Sequence, residues 1–438
     1  MRDLLLFGLV LALIPAILAR PHLGVLAYHW FSLMNPHRLV WGFAYGQPFG
    51  LLFAGLTVVA WMLHRERRLP PTTPLFWLLV LFALWVTFTT FTVARAPAVA
   101  FAEWARFAKM FLVVVLSLVL LAEPGRLRAF VAVVALSVGF FAVKGGLFVL
   151  ATGGRHLVWG PPETLIGDNN GLALALVVVL PLLVFLAETA PWRPLRWALW
   201  GVVWLDVLAI LGTRSRGGFV ALMATALVLW WQSRHRLALA LAGLAAAAVA
   251  LALLPPDWYA RIASIEDYAR DPSFALRLRV WRWTLEEVVA AAPLWGGGFG
   301  VFTLNGIRHL QGDYLEAHSI YFEVLGEHGV VGLVLFLALF AGGVLTARAA
   351  ARAATGSGDL VWAVRLGRLL PASYVGYATA GAFLNMAFFD LFYELLTITV
   401  LLRVLVRDRE ATERAAPDPL GRDPAEAARP PAPAGVAP

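Results

Sequence analysis

The sequence contains no cysteine among its 438 residues. A disulfide, a cysteine-ligated zinc site and a thiol nucleophile are therefore excluded. Lysine is nearly absent too, since only Lys109 and Lys144 are present, so arginine supplies almost all the positive charge behind the net charge of +8. Arginine is suited to bidentate contacts with phosphate. The basic residues lie at the ends of apolar segments and form no continuous patch, which argues against nucleic-acid binding.

Charged residues of both signs are scarce. They make up 14% of the chain, whereas 61% of the residues are hydrophobic and the mean hydropathy is +0.77. A soluble domain has about 25% charged residues. The composition therefore predicts a membrane protein.

Apolar segments that could cross a bilayer, which takes about 20 residues, recur along the whole chain. Roughly twelve candidate spans are predicted at residues 4–19, 51–63, 75–91, 101–121, 127–150, 172–186, 195–211, 219–231, 237–254, 320–345, 366–383 and 391–406. The first resembles a signal peptide, but the many later spans favour a retained helix. Residues 21–48 are left open as an additional short or re-entrant segment.

The arginine-rich connections alternate along the chain, and this pattern sets the predicted orientation. The clusters near residues 64–68, 126–128, 193–196, 234–236, 348–368 and 403–409 are assigned to the cytoplasmic side. The predicted fold is an all-α polytopic membrane protein with roughly 12 transmembrane helices. Its parts are N-terminal transmembrane helices (1–254), one large periplasmic loop with interfacial helices and catalytic elements (255–318), C-terminal transmembrane helices (319–406) and a disordered cytoplasmic tail (407–438).

Arg214 and Arg216 stand at the outer end of a predicted helix pair, where the orientation rule predicts few basic residues. Gly217 and Gly218 follow them at the start of a helix. Arginines at a membrane edge can extend to the lipid headgroups, and that alternative stays open. Two arginines at a helix start, where backbone N–H groups face outward, are also typical of an anion site.

Residues 273–283 have the periodicity of a helix lying on the membrane surface. Phe274, Leu278 and Trp281 fall on one face. At about 100° per residue, Arg277 lies beside this apolar face and Arg279 points nearly opposite. Arg277 is therefore better placed to bind a lipid headgroup in the protein, with an ordinary basic interfacial helix as the alternative.

His318 comes directly before a long apolar helix. Histidine suits proton transfer near neutral pH, although a lone histidine at a helix end is often only a hydrogen-bonded surface residue. Gly329 and Gly332 on the same helix are assigned to close helix packing. No histidine pair or carboxylate cluster marks a metal site, and no cofactor is expected.

The order of these motifs resembles the bacterial O-antigen ligase and polymerase superfamily (WaaL- and Wzy-like proteins). Asp168-Asn169-Asn170 before a span resembles the Asp-x-Asn of those proteins. Asn35-Pro36-His37-Arg38-Leu39 is similar to the branch of putative O-glycosylation ligases associated with exosortase A. The remaining motifs are Arg214-Ser215-Arg216-Gly217-Gly218, Arg277-Leu278-x-x-Trp281, Pro293 to Gly300, and His318-Ser319-x-Tyr321 with Glu327-x-Gly329 and Gly332.

The resemblance implies a GT-C-type glycosyltransferase of the bacterial inner membrane, without a bound metal, that uses undecaprenyl-diphosphate glycans at the periplasmic face. Arg216 and Arg277 match the diphosphate-binding arginines of the family, and His318 matches its catalytic histidine. The predicted diphosphate and substrate contacts also include three further residues, Arg214, Arg279 and Tyr321.

This leads to the hypothesis of an inverting transfer in which the arginines stabilise the departing diphosphate and His318 accepts the proton of the acceptor hydroxyl. The expected partners are the lipid-linked glycan, membrane lipids and an acceptor, with lipid A–core favoured. A polymerase and a protein O-glycosylation ligase remain alternatives. A transporter of lipid-linked glycan is the alternative of another class, for which Lys144, Asp206 and Asp390 within predicted spans would be the raw material.

Overall fold

Apolar stretches without strand-type alternation fold here as helices, as a computed structural model of the chain shows. The structure describes residues 1–64, 69–233, 272–307 and 315–415, together with Arg236, Leu237, Leu241 and Gly243. Most of the predicted span 237–254, the loop residues 255–271 and 308–314, and the tail from 416 onward lie outside the described residues. No strand occurs in the described part of the chain.

Thirteen α-helices, numbered in chain order, form the described architecture. They are α1 (Arg2–Ala19), α2 (Pro21–Met34), α3 (Phe49–Leu63), α4 (Pro74–Thr92), α5 (Pro97–Leu120), α6 (Pro124–Thr152), α7 (Asn169–Thr189), α8 (Arg193–Gly212), α9 (Arg216–Gln232), α10 (Pro272–Trp283), α11 (Ile320–Ala353), α12 (Val361–Gly381) and α13 (Asp390–Ala415). Short helical turns lie between these helices at Pro36–Leu39, Thr284–Val289, Val301–Leu304 and Gly358–Leu360. Residues 407–415, which the sequence assigned to a disordered tail, continue α13.

Six of the described helices, α1, α4, α6, α7, α8 and α11, are long and apolar enough to cross a membrane. The chain is therefore a polytopic membrane protein. The number of twelve spans and the orientation of the bundle stay predictions.

Helix α7 occupies the centre of the bundle. In its most apolar window 83% of the residues are buried, against 17% in α1. Its residues are apolar on every side, as expected for a helix surrounded by others, and α6, α8, α9 and α12 pack around it. Helix α1 lies at the periphery, where Leu6, Val10 and Ile17 form a separate cluster with α2 and α3.

The stretch left open in the sequence contains a regular helix, α2, which ends at Asn35 in a left-handed conformation. Its His29 is buried in the bundle. One ring nitrogen lies 2.7 Å from Glu394 Oε1 of α13 and the other lies 2.9 Å from Ser117 Oγ of α5. These polar partners allow a 14-residue helix with an internal histidine to pack among apolar helices.

The connections between helices collect at two ends of the bundle. At one end, Arg95 N donates to Gly297 O at 2.8 Å and Val158 N donates to Gly212 O at 3.0 Å. This end, formed by the connections α4–α5, α6–α7, α8–α9 and α12–α13 and by residues 293–307 and 315–319, is called the site end below. At the opposite end, Arg409 Nη2 donates to Asp359 Oδ2 at 2.8 Å.

Glycines bring the loop at 293–300 tightly against the bundle. Gly298 has φ +75°, and a Cβ there would lie 2.5 Å from Ala94 Cα. Gly329 interrupts α11 with φ +68°, and a Cβ there would lie 2.4 Å from the carbonyl carbon of Leu294. Only glycine tolerates this approach at a positive φ. At Gly329 the close neighbour is therefore this loop and not the second helix that the sequence predicted.

Candidate functional site

The turn between α8 and α9 carries the first pair of arginines. Ser215 is the N-cap of α9, and its Oγ accepts a hydrogen bond from Gly218 N at 3.1 Å. Arg216 is the first residue of the helix and is half-buried. The positive end of the helix dipole therefore lies at this arginine, an arrangement that favours an anion.

Arg214, two residues earlier, has a left-handed backbone with φ +52°. Its Nη2 donates to Gly154 O at 2.8 Å and to Arg155 O at 3.0 Å, both in the α6–α7 connection. The guanidinium thus ties two connections together, and this contact fixes the turn from which Arg216 extends.

The Asp168-Asn169-Asn170 segment at the start of α7 supports the same turn. Asp168 caps α7, its Oδ1 accepting from Asn170 N and Gly171 N. Asn169 Nδ2 donates to Thr213 O at 2.9 Å, and Ser215 Oγ donates to Asn170 Oδ1 at 2.7 Å. The motif noted in the sequence therefore holds the arginine-bearing turn through two side-chain amides.

Helix α10 carries Arg277 and Arg279. Arg277 is half-buried and Arg279 is exposed. One turn beyond Arg277, Trp281 Nε1 donates to Ala317 O at 2.8 Å. The Trp281 ring also stacks on Phe322 of α11, with centroids 4.7 Å apart. These contacts fasten α10 beside the residue that precedes His318.

His318 is half-buried and has a left-handed backbone with φ +48°. This conformation is uncommon outside glycine and is found disproportionately at functional sites. Ser319 follows as the N-cap of α11. The hydroxyl of Tyr321 donates to Ala378 O of α12 at 2.8 Å, so this predicted substrate contact also holds two helices together.

The α12–α13 connection, residues 382–389, links these elements. A Cβ at Gly217 in α9 would lie 3.0 Å from the Phe383 ring, and one at Gly381 would lie 2.6 Å from Ile320 at the start of α11. Asn385 Nδ2 also donates to Glu316 Oε2 at 2.5 Å. The starts of α9 and α11, and with them Arg214, Arg216 and His318, are thereby brought to the site end.

A cavity of about 450 Å³ opens beside this connection. Its walls come from α5, from the loop at 299–303, from the start of α11 and from the α12–α13 connection. Five acidic side chains line it among the described residues: Glu103, Glu316, Glu323, Glu327 and Asp390. The sequence analysis named Glu327 and Asp390 separately but gave no signal for the cluster, because its members come from three distant parts of the chain.

A second cavity, of about 260 Å³, shares Leu165, Phe389 and Asp390 with the first. The turn with His37 and Arg38 lines it, and the Arg38 guanidinium lies 2.6 Å from Glu163. Burial, and secondarily the neighbouring Arg38, lower the pKa of His37 below its ordinary value. His37 is therefore uncharged near neutral pH. In the described part of the chain, no group of three or more histidine and acidic residues has the arrangement of a metal site.

Two family models match different parts of the chain. Residues 201–337 match a family described as O-antigen ligase, and this region contains all six of the predicted site residues. Residues 1–191 match a family of unknown function, DUF5935. No curated protein matches the chain. The first match supports the O-antigen ligase superfamily and a ligase- or polymerase-like function in general, whereas the exosortase-associated branch stays a prediction.

Proposed function

We propose that the chain is an O-antigen ligase-like glycosyltransferase. It transfers a glycan from undecaprenyl diphosphate to a hydroxyl acceptor at the periplasmic face, without a metal and with inversion at the anomeric carbon. One observation carries the proposal: the helix start bearing Arg216, the helix bearing Arg277 and the segment bearing His318 all lie at the site end, within the region similar to O-antigen ligases.

The donor already contains a good leaving group, so catalysis must stabilise the negative charge that develops on the departing diphosphate. Arg216 at the start of α9 and Arg277 on α10 supply fixed positive charge for this purpose. The positive end of the α9 dipole adds to it. Arg214 donates hydrogen bonds to backbone carbonyls, and in this way it holds the turn that positions Arg216.

His318 acts as the general base. It accepts the proton of the acceptor hydroxyl as that oxygen forms a bond to the anomeric carbon. The bond between this carbon and the diphosphate oxygen breaks, and its electron pair leaves with the diphosphate. Attack from the side opposite the leaving group inverts the anomeric centre.

Lipid A–core is the acceptor that the surface around α10 supports best. Leu278 and Leu285 are 45% and 48% exposed, and Trp295 is 39% exposed. Exposed leucines and a tryptophan at a membrane boundary suit an amphipathic acceptor that approaches along the bilayer. A polymerase would need a second lipid diphosphate, and a protein hydroxyl is the third alternative.

The test is incubation of the purified protein with lipid-diphosphate glycan and lipid A–core. Wild-type protein should join the two. His318→Ala should abolish transfer while the protein stays folded and still binds lipid diphosphate. Near-normal transfer by this variant would remove the proposed base. Movement of lipid-linked glycan across a vesicle bilayer by the same variant would favour the transporter.

A deletion strain separates ligase from polymerase. Loss of a ligase leaves long glycan chains on the carrier lipid and none on the acceptor. Single repeats on the carrier would instead identify a polymerase.

A further inference from the structure

The 450 Å³ cavity differs in charge from the arginine site beside it. Arg106 and Lys109 are the basic side chains among its described lining residues, against five acidic ones. Arg106 is moreover paired with Glu103 at 2.5 Å. Such a cavity repels a diphosphate, so the donor's leaving group belongs to the arginines and the cavity requires another occupant.

Each of the acidic groups has at least one hydrogen-bond donor from the protein. Glu316 accepts from Asn385, Glu323 Oε2 accepts from Ala387 N at 3.0 Å, and Asp390 accepts from Ser32. Each carboxylate can accept several hydrogen bonds. The cavity therefore offers acceptor capacity that is only partly used by the described residues.

Glu327 is the most deeply buried of the group. Its side chain lines the cavity, the residue is only 7% exposed, and its Oε1 accepts from Gly300 N at 3.0 Å. Its Oε2 has no hydrogen-bond partner among the described residues. Buried polar atoms are nearly always paired, so this oxygen indicates a polar ligand that forms a hydrogen bond with it.

Aromatic rings form the other part of the wall. Phe299, Phe302 and Phe388 line the cavity, and the ring centroids of Phe299 and Phe388 lie 4.7 Å apart. A pocket with apolar walls and a few polar groups, within the range of about 300–1,000 Å³, is typical of small-molecule sites. A pyranose fits this combination, because its C–H faces pack on aromatic rings while its hydroxyls form hydrogen bonds with carboxyl groups.

Resting on the proposed function, we infer that this cavity binds the terminal sugar of the acceptor as an uncharged pyranose, with its hydroxyls hydrogen-bonded to Glu323 and Glu327. Glu316 joins the cavity to the catalytic segment, since it lies two residues before His318. The acidic wall excludes uronates and phosphorylated sugars. The cavity therefore sets the acceptor specificity, whereas the arginines bind the donor.

Binding without donor tests the inference independently of transfer. The protein in lipid nanodiscs is examined by saturation-transfer NMR with methyl glucoside, galactoside, mannoside and N-acetylglucosaminide, and with methyl glucuronide. At least one neutral sugar should bind and the glucuronide should not. The double variant Glu323→Gln/Glu327→Gln should bind that neutral sugar about tenfold more weakly, because each amide NH2 replaces a carboxyl oxygen that bonds the sugar.

Glu286→Gln is the matched control. Its carboxylate is 66% exposed, faces Arg282 and lies outside the cavity, so sugar binding should not change. Thermal unfolding and lipid-diphosphate binding show whether the double variant is folded. Binding of none of the neutral sugars, or equal binding of the glucuronide to wild type, would overturn the inference. Unchanged acceptor KM in a double variant that still transfers would overturn it while leaving the proposed function intact.

Discussion

Ser215 joins two parts of the site through one hydroxyl group. Its Oγ accepts from Gly218 N at 3.1 Å and donates to Asn170 Oδ1 at 2.7 Å. Ser215→Ala removes both hydrogen bonds. Loss of an N-cap costs about 1 kcal/mol, and loss of a second hydrogen bond costs about 1 kcal/mol more. We therefore expect the α8–α9 turn to be destabilised by about 2 kcal/mol.

The effect on catalysis depends on where this free energy is used. Arg216 directly follows the cap, so the turn sets the position of its guanidinium. If the whole 2 kcal/mol serves to hold the arginine in the transition state, kcat/KM falls about 30-fold, since each 1.4 kcal/mol is a factor of about ten. Arginine stays in the chain, so some transfer should remain.

Thr73→Ala is the control for stability alone. Thr73 is the buried N-cap of α4 at the opposite end, and its Oγ1 accepts from Phe76 N at 3.2 Å. Both variants should unfold at lower temperature, but only Ser215→Ala should transfer more slowly. Transfer rates and thermal unfolding of the two purified proteins give the comparison. Equal transfer rates would refute a link between the cap and the arginine.

Four further results are expected. Arg277→Ala should weaken lipid-diphosphate binding at least tenfold. Arg277→Lys should recover it only in part, because a point charge makes no bidentate contact. Arg282 has an exposed side chain paired with Glu286, so Arg282→Ala should bind normally in the same titration. Trp281→Phe keeps the ring stack but loses the hydrogen bond to Ala317 O. The kcat should therefore fall several-fold with little change in donor affinity. An unchanged kcat would show that this hydrogen bond does not position His318. Transfer should continue in the presence of EDTA. A strict need for a divalent ion would mean that the arginines do not by themselves stabilise the departing diphosphate. Because the chain has no cysteine, single cysteines report the orientation of the bundle. Asn305→Cys should react with an impermeant reagent from the periplasm, and Asp359→Cys only from the cytoplasm. The reverse pattern would place the site end on the cytoplasmic side.

Some local features of the site could be predicted from the sequence because they depend on neighbouring residues. Helical periodicity over residues 273–283 predicted α10, and the structure confirms this helix. Glycines after Arg216 similarly marked a helix start, which the structure has at Arg216. Each of these inferences needed fewer than a dozen consecutive residues.

Features that depend on distant partners could not be predicted. His29 looks unfavourable in a membrane helix until Glu394 and Ser117 are brought beside it. The acidic cavity likewise combines Glu103 of α5 with Glu327 of α11, which no local pattern connects. Periodicity describes which face of a helix is apolar, but it does not say which other helix will face it.

The contacts of Asn169 and Asn170 bear on how such proteins can recombine. These amides lie in the region similar to DUF5935, whereas the Thr213–Ser215 turn that they hold lies in the region similar to O-antigen ligases. The two matched regions are separate in the chain, but hydrogen bonds between these amides and the turn join them in the structure. A chimera that joined residues 201–337 to an unrelated N-terminal half would inherit the arginines without the amides that orient their turn. Exchange of the two halves between relatives preserves the site only where the Asp-Asn-Asn segment is inherited with its partner turn.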